Sequence, residues 1–371
     1  MPAKLSIEPR LLLGPGPSPV HERILEALAR PTLGHLDPQF LRIMDEVSEG
    51  LRKVFGTRNR TTFPISGTGS AGMEAALANV VEPGDRVIIG VNGVFGGRLV
   101  EMAKRMGAEV VAVEAEWGSI VPPERLLEAL RVHPDTRVLA VVHAETSTGA
   151  RQPLDEIGAA VSRTDTLLLV DAVTSLGGLP VEVDKVGIDV CYSGTQKCLG
   201  VPPGLAPITF SARAMDRIAT RRTPCQSWYL DVNLISAYLS EERRYHHTAP
   251  INMVYALHEG LTMVEEEGLE ARWRRHAEVG AALQAAMVER GFQLFAQEGY
   301  RLPQLTSASL PGGRDEGPLR KALLEEHGIE VGGGLGPAKG KIWRVGLMGS
   351  GATHLVVERL LKAIDALIPR S

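Results

Sequence analysis

The sequence predicts an α/β protein: a large domain with a mainly parallel sheet flanked by helices, followed by a smaller C-terminal α+β domain. Two observations support this fold class. Between about residues 60 and 210, short apolar runs alternate with longer amphipathic stretches, as they do when each parallel strand is followed by a helix. Runs such as 167–170 are apolar throughout, which is typical of strands buried on both faces. Beyond about residue 250 the pattern changes to long amphipathic helices with short strands between them.

The individual elements follow from where these patterns begin and end. In the first part we predict strands at 86–91, 109–113, 137–142, 166–170, 189–193 and 206–210. The helices between them are predicted at 71–79, 97–106, 123–132 and 154–162. In the second part a helical region covers 253–290 with a break near Gly268. It is followed by strands at 293–295, 307–310 and 342–346 and by helices at 318–326 and 354–368.

The composition limits the number of domains and the classes of function. From the 371 residues we predict an N-terminal arm (1–19), a large domain (20–262) and a small C-terminal domain (263–371). The formal net charge of −4 argues against nucleic acid as a partner. No apolar run is long enough to span a membrane, and the three cysteines show neither a metal-binding nor a disulfide pattern. We therefore expect a cytoplasmic protein without a metal.

An aspartate and a lysine near the ends of two predicted strands are the most informative chemical signal. Asp171 follows the run 166–170, and Lys197 follows the next predicted strand. Pyridoxal phosphate needs an amine that carries its aldehyde and an anion that keeps its ring nitrogen protonated. The apolar surroundings of Lys197 are expected to lower the pKa of its amine and to favour the nucleophilic neutral form. Each residue also has an ordinary explanation, a helix cap for Asp171 and a solvent-exposed side chain for Lys197.

A glycine-rich turn that opens a predicted helix is a candidate phosphate site. The segment 67–70, Gly-Thr-Gly-Ser, offers free backbone N–H groups, the positive end of a helix dipole and two hydroxyls. With Gly72 it also matches the dinucleotide-binding pattern GxGxxG, which expects an acidic residue at the end of the next strand. That strand is followed by Asn92, without an acid, so a single phosphate ester is favoured over a dinucleotide.

Further motifs run along almost the whole chain. They are LGPGPS at 13–18, the turn at 67–70, HAETSTG at 143–149, VD at 170–171, SGTQK at 193–197, YHHT at 245–248, GGLGP at 333–337 and RVGL at 344–347. Each is common alone, but the combination resembles the class V, fold type I, family of pyridoxal-phosphate-dependent aminotransferases. The resemblance is strongest to the branch of alanine–glyoxylate and serine–pyruvate or serine–glyoxylate aminotransferases.

The resemblance implies a role for each matching residue. Lys197 carries pyridoxal 5′-phosphate and moves a proton between substrate and cofactor, and Asp171 pairs with the ring nitrogen. Val173 packs under the ring, and Phe95 stacks on it where relatives often have tryptophan. The other implied cofactor-binding residues are Thr68, Gly69, Ser70 and Gln196 on the phosphate side, Thr146 near the ring hydroxyl and the substrate, and Tyr245 and Thr248, which reach the cofactor of the neighbouring subunit. A homodimer with shared active sites is therefore implied.

The resemblance also implies small substrates. Arg344 holds the α-carboxylate with its planar guanidinium group. Gly14 and Gly16 bring the N-terminal backbone over the pocket and leave room only for small side chains. The implied function is a transaminase that moves the amino group of alanine or serine to glyoxylate or pyruvate, in ping-pong order and through Lys197.

Alternative functions are weighed against the same residues. An aminotransferase for another small amine, such as an aminophosphonate, stays open, with Arg344 facing a different anion. A cysteine desulfurase needs a reactive cysteine in the small domain, and no cysteine follows Cys225. A nucleotide-dependent oxidoreductase, from a different class, is weakened by the missing acid at Asn92. A catalytically silent binding protein is disfavoured because Lys197 and Asp171 are both present.

Overall fold

The computed structural model describes residues 5–240 and 243–368, and two β-sheets organise these ranges. The larger sheet has seven strands, in spatial order β2 (Thr61–Ser66), β10 (Leu205–Phe210), β9 (Val190–Tyr192), β8 (Leu167–Asp171), β5 (Val138–Val142), β3 (Arg86–Val91) and β4 (Glu109–Glu114). The smaller sheet has five, in the order β1 (Leu11–Leu13), β13 (Ile329–Gly333), β14 (Ile342–Gly346), β12 (Leu305–Ser309) and β11 (Gln293–Leu294). A short hairpin, β6 (Ala144–Glu145) with β7 (Ala150–Arg151), follows β5.

Helices connect and cover these strands. In chain order they are α1 (Glu22–Leu28), α2 (Pro38–Phe55), α3 (Gly69–Val80), α4 (Val94–Arg105), α5 (Pro123–Val132), α6 (Asp155–Val161), α7 (Val183–Val186), α8 (Ala212–Ala219), α9 (Val232–Leu239), α10 (Ile251–Glu267), α11 (Leu269–Glu289), α12 (Glu316–His327) and α13 (His354–Leu367). Three single 3₁₀ turns lie at Pro311–Gly313, Gly336–Ala338 and Gly349–Gly351. Among the described helices, none combines the length and the apolar composition needed to cross a membrane.

The larger sheet confirms the predicted α/β class. The pairs β4–β3, β3–β5, β5–β8 and β8–β9 are parallel, and β10 is antiparallel to both of its neighbours. Strand β8 is buried on both faces, as its apolar sequence predicted. Leu168 and Val170 belong to the core on one face of the sheet, and Leu167 and Leu169 belong to the core on the other. Because the central strands are parallel, the loops that follow β5, β8 and β9 emerge at one edge, where ligands bind in such sheets.

The smaller sheet contains a strand from the segment predicted as an N-terminal arm. Residues Leu11–Leu13 form β1 and pair in parallel with β13, so that Leu13 opposes Val331. Leu13 is fully buried and contributes to the apolar core between this sheet and the helices α11 and α13. Three residues are too few to show the alternating pattern of a strand in the sequence. This strand can therefore be recognised only from its pairing in the folded structure.

Most predicted elements agree with the structure to within a few residues. The break near Gly268 is confirmed: α10 ends at Glu267, Gly268 has a φ of 80°, and α11 begins at the next residue. The predicted domain boundary at 262/263 falls within α10, whereas the chain changes direction at Gly268; the division into domains stays a prediction. The sequence predicted no counterpart for the strands β1, β2, β6, β7 and β13 and for the helices α1, α2, α7, α8 and α9.

Candidate active site

Asp171 is the last residue of β8 and is almost fully buried. Its Oδ1 accepts a hydrogen bond from the backbone N–H of Val173 (2.8 Å), and its Oδ2 accepts one from the hydroxyl of Tyr192 (2.7 Å). Burial raises the pKa of the Asp171 carboxyl to about 6, against the opposing effect of these two hydrogen bonds. A carboxylate that has lost its hydration in this way is stabilised most by a cationic partner.

Lys197 is buried in the segment between β9 and β10. Its Nζ contacts the backbone carbonyl oxygen of Pro15, and its own backbone carbonyl accepts a hydrogen bond from the Ser18 hydroxyl (2.7 Å). Burial lowers the pKa of the Lys197 amine to about 8, and the positive charge of Arg344 acts in the same direction. The direction is the one expected from its apolar surroundings. At such a pKa a useful fraction of the amine is neutral, and therefore nucleophilic, near neutral pH.

The turn between β2 and α3 offers hydrogen-bond donors to an anion. Helix α3 begins at Gly69, and its N-cap residue Thr68 makes no side-chain cap bond. The first N–H groups of the helix therefore have no intrahelical acceptor. Thr68 and Ser70 are exposed, and the amide of Gln196 lies close by next to Gly194. Together with the helix dipole, these groups form a site suited to a phosphate.

The walls of the site come close together where α3 faces the end of β8. A Cβ added to Gly69 would lie 3.3 Å from a methyl group of Val173, so any larger residue here would press on Val173. Phe95, half-buried in the first turn of α4, is a second apolar wall. The guanidinium of Arg98 lies 4.9 Å from the centroid of the Phe95 ring, and its Nη1 lies 3.4 Å from the Ser70 hydroxyl. Arg98 was not among the predicted site residues.

Arg344 reaches the site from β14 of the smaller sheet and is buried. Its Nε donates to the carbonyl of Gly333 (2.7 Å), and its Nη1 donates to the carbonyl of Thr146 (3.0 Å). Within residues 5–240 and 243–368, the other three N–H groups of the guanidinium make no hydrogen bond, which leaves them for a carboxylate. Burial lowers the pKa of Arg344 from its usual value. Thr146 itself is buried beside this contact.

The N-terminal segment covers Lys197. Gly16 has a φ of +103°, and a Cβ at this residue would lie 2.6 Å from the Nζ of Lys197. The positive φ therefore favours glycine, and a Cβ would also have to displace the Lys197 side chain. Gly14 is buried next to β13, where a Cβ would lie 3.7 Å from the Oε1 of Glu330. The segment around Gly14 and Gly16 thus lies against the amine of Lys197.

Tyr245 and Thr248 are placed differently from the other predicted residues. Their hydroxyls lie 3.3 Å apart, Tyr245 is 56% exposed, and its ring packs on His35 at 5.0 Å between centroids. Between them in the sequence, His247 bonds to the hydroxyl of Ser66, directly before the phosphate-site turn (2.7 Å). The segment therefore lies next to the turn, but its tyrosine points out from the chain.

The segment 223–231, for which no chemistry could be predicted, also reaches this region. Tyr229 donates from its hydroxyl to the carbonyl of Ser66 (3.1 Å). Trp228 is 63% exposed and stacks on His246 with 4.4 Å between ring centroids. The segment thus borders the phosphate-site turn and presents aromatic side chains at the surface.

Sequence reasoning also missed Glu145, a fully buried carboxyl between the hairpin and α4. Its Oε2 accepts from the backbone N–H groups of Phe95 (3.0 Å) and Gly96 (3.4 Å). Its Oε1 accepts from both the N–H and the hydroxyl of Ser147. The one signal in the sequence is that α4 starts without a capping side chain of its own, since its N-cap residue is Gly93.

Comparison with known proteins identifies the family. The model of the class-V aminotransferases matches residues 20–348. The chain belongs to this family. An alanine–glyoxylate aminotransferase from Callithrix jacchus is 43% identical over 97% of the chain and 89% of the relative. A (S)-ureidoglycine–glyoxylate transaminase from Bacillus subtilis is 42% identical over 97% of the chain and 91% of the relative. The crystal structure of an alanine–glyoxylate aminotransferase from Nostoc sp. superimposes with a TM-score of 0.97 at 49% identity, covering 99% of this chain and 97% of that one.

Membership of the class-V family implies pyridoxal phosphate as the cofactor, and the residues of the site are suited to binding it. Asp171 is a buried anion that forms no ion pair within the part of the chain that the structure describes, which suits a protonated ring nitrogen. The unpaired N–H groups at the start of α3 suit the phosphate. Val173 and Phe95 supply apolar walls for the ring, and Lys197 supplies the amine. The sequence also allowed a nucleotide-dependent oxidoreductase. Family membership excludes that function, and no acidic residue stands at the end of β3 to bind a ribose.

Proposed function

We propose that this aminotransferase moves the amino group of a small amino acid, alanine or serine, to a small 2-oxo acid, glyoxylate or pyruvate, in ping-pong order. The observation that carries the proposal is the placement of Arg344, whose free N–H groups lie near Lys197 under the glycine-rich N-terminal segment. The relatives named for alanine, ureidoglycine and glyoxylate support small substrates and favour glyoxylate as the acceptor.

Arg344 binds the α-carboxylate of the amino acid in this proposal. Two of its N–H groups are fixed by the carbonyls of Gly333 and Thr146, so the plane of the guanidinium is set before the substrate arrives. A planar, pre-oriented guanidinium holds a carboxylate by two parallel hydrogen bonds. Fixing the carboxylate also fixes which bond at the α-carbon faces Lys197.

The N-terminal segment limits the size of the side chain. Gly16 lies so close to Lys197 that not even a methyl group fits at its Cβ position, and the Pro15 carbonyl contacts the amine. A large side chain on the substrate has to displace this backbone, whereas the side chain of alanine or serine adds only one or two heavy atoms. The pocket is therefore suited to the smallest amino acids.

Lys197 moves the proton that transamination requires. Its Nζ, with a pKa near 8, would be the base that accepts the proton from the α-carbon of the donor and the acid that gives it back. When bound, pyridoxal phosphate supplies an electron sink for the charge left on that carbon. Asp171 keeps the ring nitrogen protonated, because its buried carboxylate stabilises the proton there.

The remaining predicted residues hold the cofactor in this proposal. Asp171 and Val173 follow β8, so one loop provides both the anion and one wall for the ring. The phosphate is held by the donors at the start of α3. The residues proposed to surround the phosphate, the second face of the ring and the ring hydroxyl are Thr68, Gly69, Ser70, Gln196, Phe95 and Thr146.

We also propose a homodimer in which Tyr245 and Thr248 bind the phosphate of the partner's cofactor. Their exposure supports this assignment, because a side chain that points away from its own chain can serve another one. Trp228, Tyr229 and Leu36 are exposed nearby and form an apolar surface of the kind that interfaces cover. A cytoplasmic location stays a prediction from the composition and the cysteine pattern.

The deciding experiment is a visible absorption spectrum of the purified enzyme with pyridoxal phosphate, recorded with a single amino donor and no acceptor. L-alanine or L-serine is expected to bleach the yellow band of the lysine-bound cofactor, because the amino group stays on the cofactor when no 2-oxo acid is present. Glyoxylate or pyruvate, added afterwards, is expected to restore the band. The rates with the two donors and the two acceptors then rank the substrates.

The matched control is Lys197→Ala, which is expected to bind the cofactor without forming the band and to lose turnover. A band that responds to an aminophosphonate but to neither L-alanine nor L-serine establishes the alternative substrate class. Full turnover in the Lys197→Ala variant contradicts the proposed mechanism as a whole.

A further inference from the structure

The carboxyl group of Glu145 joins two parts of the active site that are 50 residues apart in the sequence. It lies between the hairpin β6–β7 and the start of α4, with no exposed surface. One oxygen accepts from the backbone N–H groups of Phe95 and Gly96, and the other accepts from Ser147 through its N–H (3.0 Å) and its hydroxyl (2.6 Å). All four contacts donate to the carboxyl, so its ionised form satisfies every one of them.

The start of α4 depends on this carboxyl. The N-cap residue of the helix, Gly93, has no side chain that could cap it, and the space of its Cβ is occupied by the side chains of Glu145 and Ser147. Ser147 completes the cap, because its hydroxyl accepts from the N–H of Val94 (3.0 Å). Two side chains from a different loop thus provide what the N-cap normally provides. As Phe95 is the second residue of the helix, its position is set by the same contacts.

Glu145 also belongs to the turn whose backbone contacts Arg344. The backbone carbonyl of Glu145 accepts from the N–H of Gly149 (2.8 Å), which closes the turn 145–149. The next residue, Thr146, provides the carbonyl to which Arg344 donates. One residue therefore fixes both the aromatic wall of the cofactor site and the support of the arginine.

We propose that Glu145 is a positioning residue of the aminotransferase, which holds Phe95 against the cofactor and Thr146 under Arg344 in one fixed arrangement. This inference rests on the proposed function, because it assumes that Phe95 faces the cofactor and that Arg344 binds the substrate. Glu145 is proposed to act through Phe95 and Thr146, without touching the cofactor or the substrate itself. The negative charge of Glu145 also acts on the pKa values of Asp171, Lys197 and Arg344, so it lies close enough to influence all three groups.

The test is Glu145→Gln, which keeps the shape but turns one acceptor oxygen into a donor. Either the Phe95–Gly96 pair or the Ser147 pair then faces an NH₂ group and loses its hydrogen bonds. We expect the dissociation constant of pyridoxal phosphate, measured by titrating the apoprotein, to rise about tenfold. The circular dichroism of the bound cofactor is expected to weaken, and the KM for the amino donor to rise as well.

Glu82→Gln is the matched control. Glu82 is equally buried and accepts from two backbone N–H groups and one hydroxyl, those of Arg222 and Thr223. It lies beyond the far end of α3, about 18 Å along the helix from Gly69. Glu82→Gln is expected to lower thermal stability like Glu145→Gln, but to leave cofactor affinity, circular dichroism and KM at their wild-type values.

A double-mutant cycle with Phe95→Leu tests the route of the effect. If Glu145 acts through Phe95, the two substitutions together raise the dissociation constant of the cofactor by less than the product of their single effects. If Glu145→Gln does not fold, Ser147→Ala replaces it in the same measurements, since it removes both the 2.6 Å contact and the cap on Val94. Cofactor affinity and KM in these variants equal to those of Glu82→Gln overturn the inference. A wild-type protein that binds no pyridoxal phosphate overturns the proposed function instead.

Discussion

At the scale of single residues, burial determines the chemistry of the site. It raises the pKa of Asp171 to about 6 and lowers that of Lys197 to about 8. The pKa values of the two groups therefore differ less in the protein than they do in water. Both changes penalise the charged form, which is the expected effect of desolvation. A buried ring nitrogen and an aldehyde carbon are the partners that such an anion and such an amine bind best.

The first prediction concerns the pH at which Lys197 becomes nucleophilic. The rate at which the apoprotein captures pyridoxal phosphate is expected to rise as the pH passes through about 8, because the neutral amine is the reactive form and burial lowers its pKa to that value. Stopped-flow absorbance across a pH series measures this rate. A midpoint near 10.5, the ordinary value of lysine, contradicts the desolvation argument.

The second prediction concerns the shape of the arginine. Arg344→Lys keeps a positive charge but loses the planar fork and the bonds to Gly333 and Thr146. We expect the binding of the amino donor to weaken by about 2 kcal/mol, seen as a higher KM in steady-state kinetics, with a smaller change in kcat. The control is Arg290→Lys, which changes another well-buried arginine, paired with Asp365 away from the site, and is expected to leave KM unaltered. An unchanged KM in Arg344→Lys removes Arg344 from substrate binding.

At the scale of elements, the short strand β1 connects the smaller sheet to the active site. Leu13 anchors it in the core, and Pro15, Gly16 and Ser18, a few residues on, all contact Lys197. Edge pairing with β13 thus fixes where the covering segment lies over the amine.

The third prediction follows from this connection. Leu13→Ala removes a fully buried side chain and is expected to lower the free energy of unfolding by about 3 kcal/mol. It is also expected to raise the KM for alanine, because the segment that follows loses its anchor. Leu11→Ala, in the same strand but only partly buried, serves as the control and is expected to cost about 1 kcal/mol, with KM unchanged. Thermal unfolding and steady-state kinetics test both variants, and equal effects for the two leucines contradict the anchoring role.

The elements also show what the sequence could and could not predict. The parallel strands with uninterrupted apolar runs, such as β3 and β8, were predicted closely because burial on both faces leaves a clear pattern. Strand β2 was missed: it carries Pro64 in its middle, which is tolerated because β2 is an edge strand of the sheet, a position that only the folded topology defines. The positions of Asp171 and Lys197 after the ends of predicted strands followed from the apolar runs, and their roles stay predictions. Glu145 was not singled out, because its partners on α4 are brought to it by the fold alone.

At the scale of the whole molecule, backbone hydrogen bonds join the hairpin β6–β7 to the segment that leads into β12 of the smaller sheet. The N–H of Leu302 donates to the carbonyl of Gly149 (2.9 Å), and the N–H of Arg151 donates to the carbonyl of Tyr300 (2.7 Å). Gly149 closes the turn whose Thr146 contacts Arg344, and Arg151 follows this turn in β7. The turn beside Arg344, which we propose to bind the substrate, is therefore held in place by backbone hydrogen bonds as well as by side chains.

The fourth prediction tests the shared active sites of the proposed homodimer. Lys197→Ala and Tyr245→Ala subunits are expected to be inactive or weak alone, and to recover activity when they are unfolded and refolded together. A hybrid dimer then contains one site with an intact Lys197 and an intact Tyr245 from the other subunit. Random pairing makes about a quarter of all sites competent. Activity of the mixture is measured against each variant refolded separately; a mixture no more active than its parts shows that Tyr245 serves its own chain.

The pairing of β1 with β13 sets an order for the biogenesis of the enzyme. Residues 11–13 are synthesised long before their partner strand at 329–333. Until β13 is made, the N-terminal segment has no sheet to join, and the amine of Lys197 has no cover. A stalled or truncated translation product that ends before β13 thus contains Lys197 but cannot enclose its amine. We therefore expect competence for cofactor and substrate only after β13 has been synthesised.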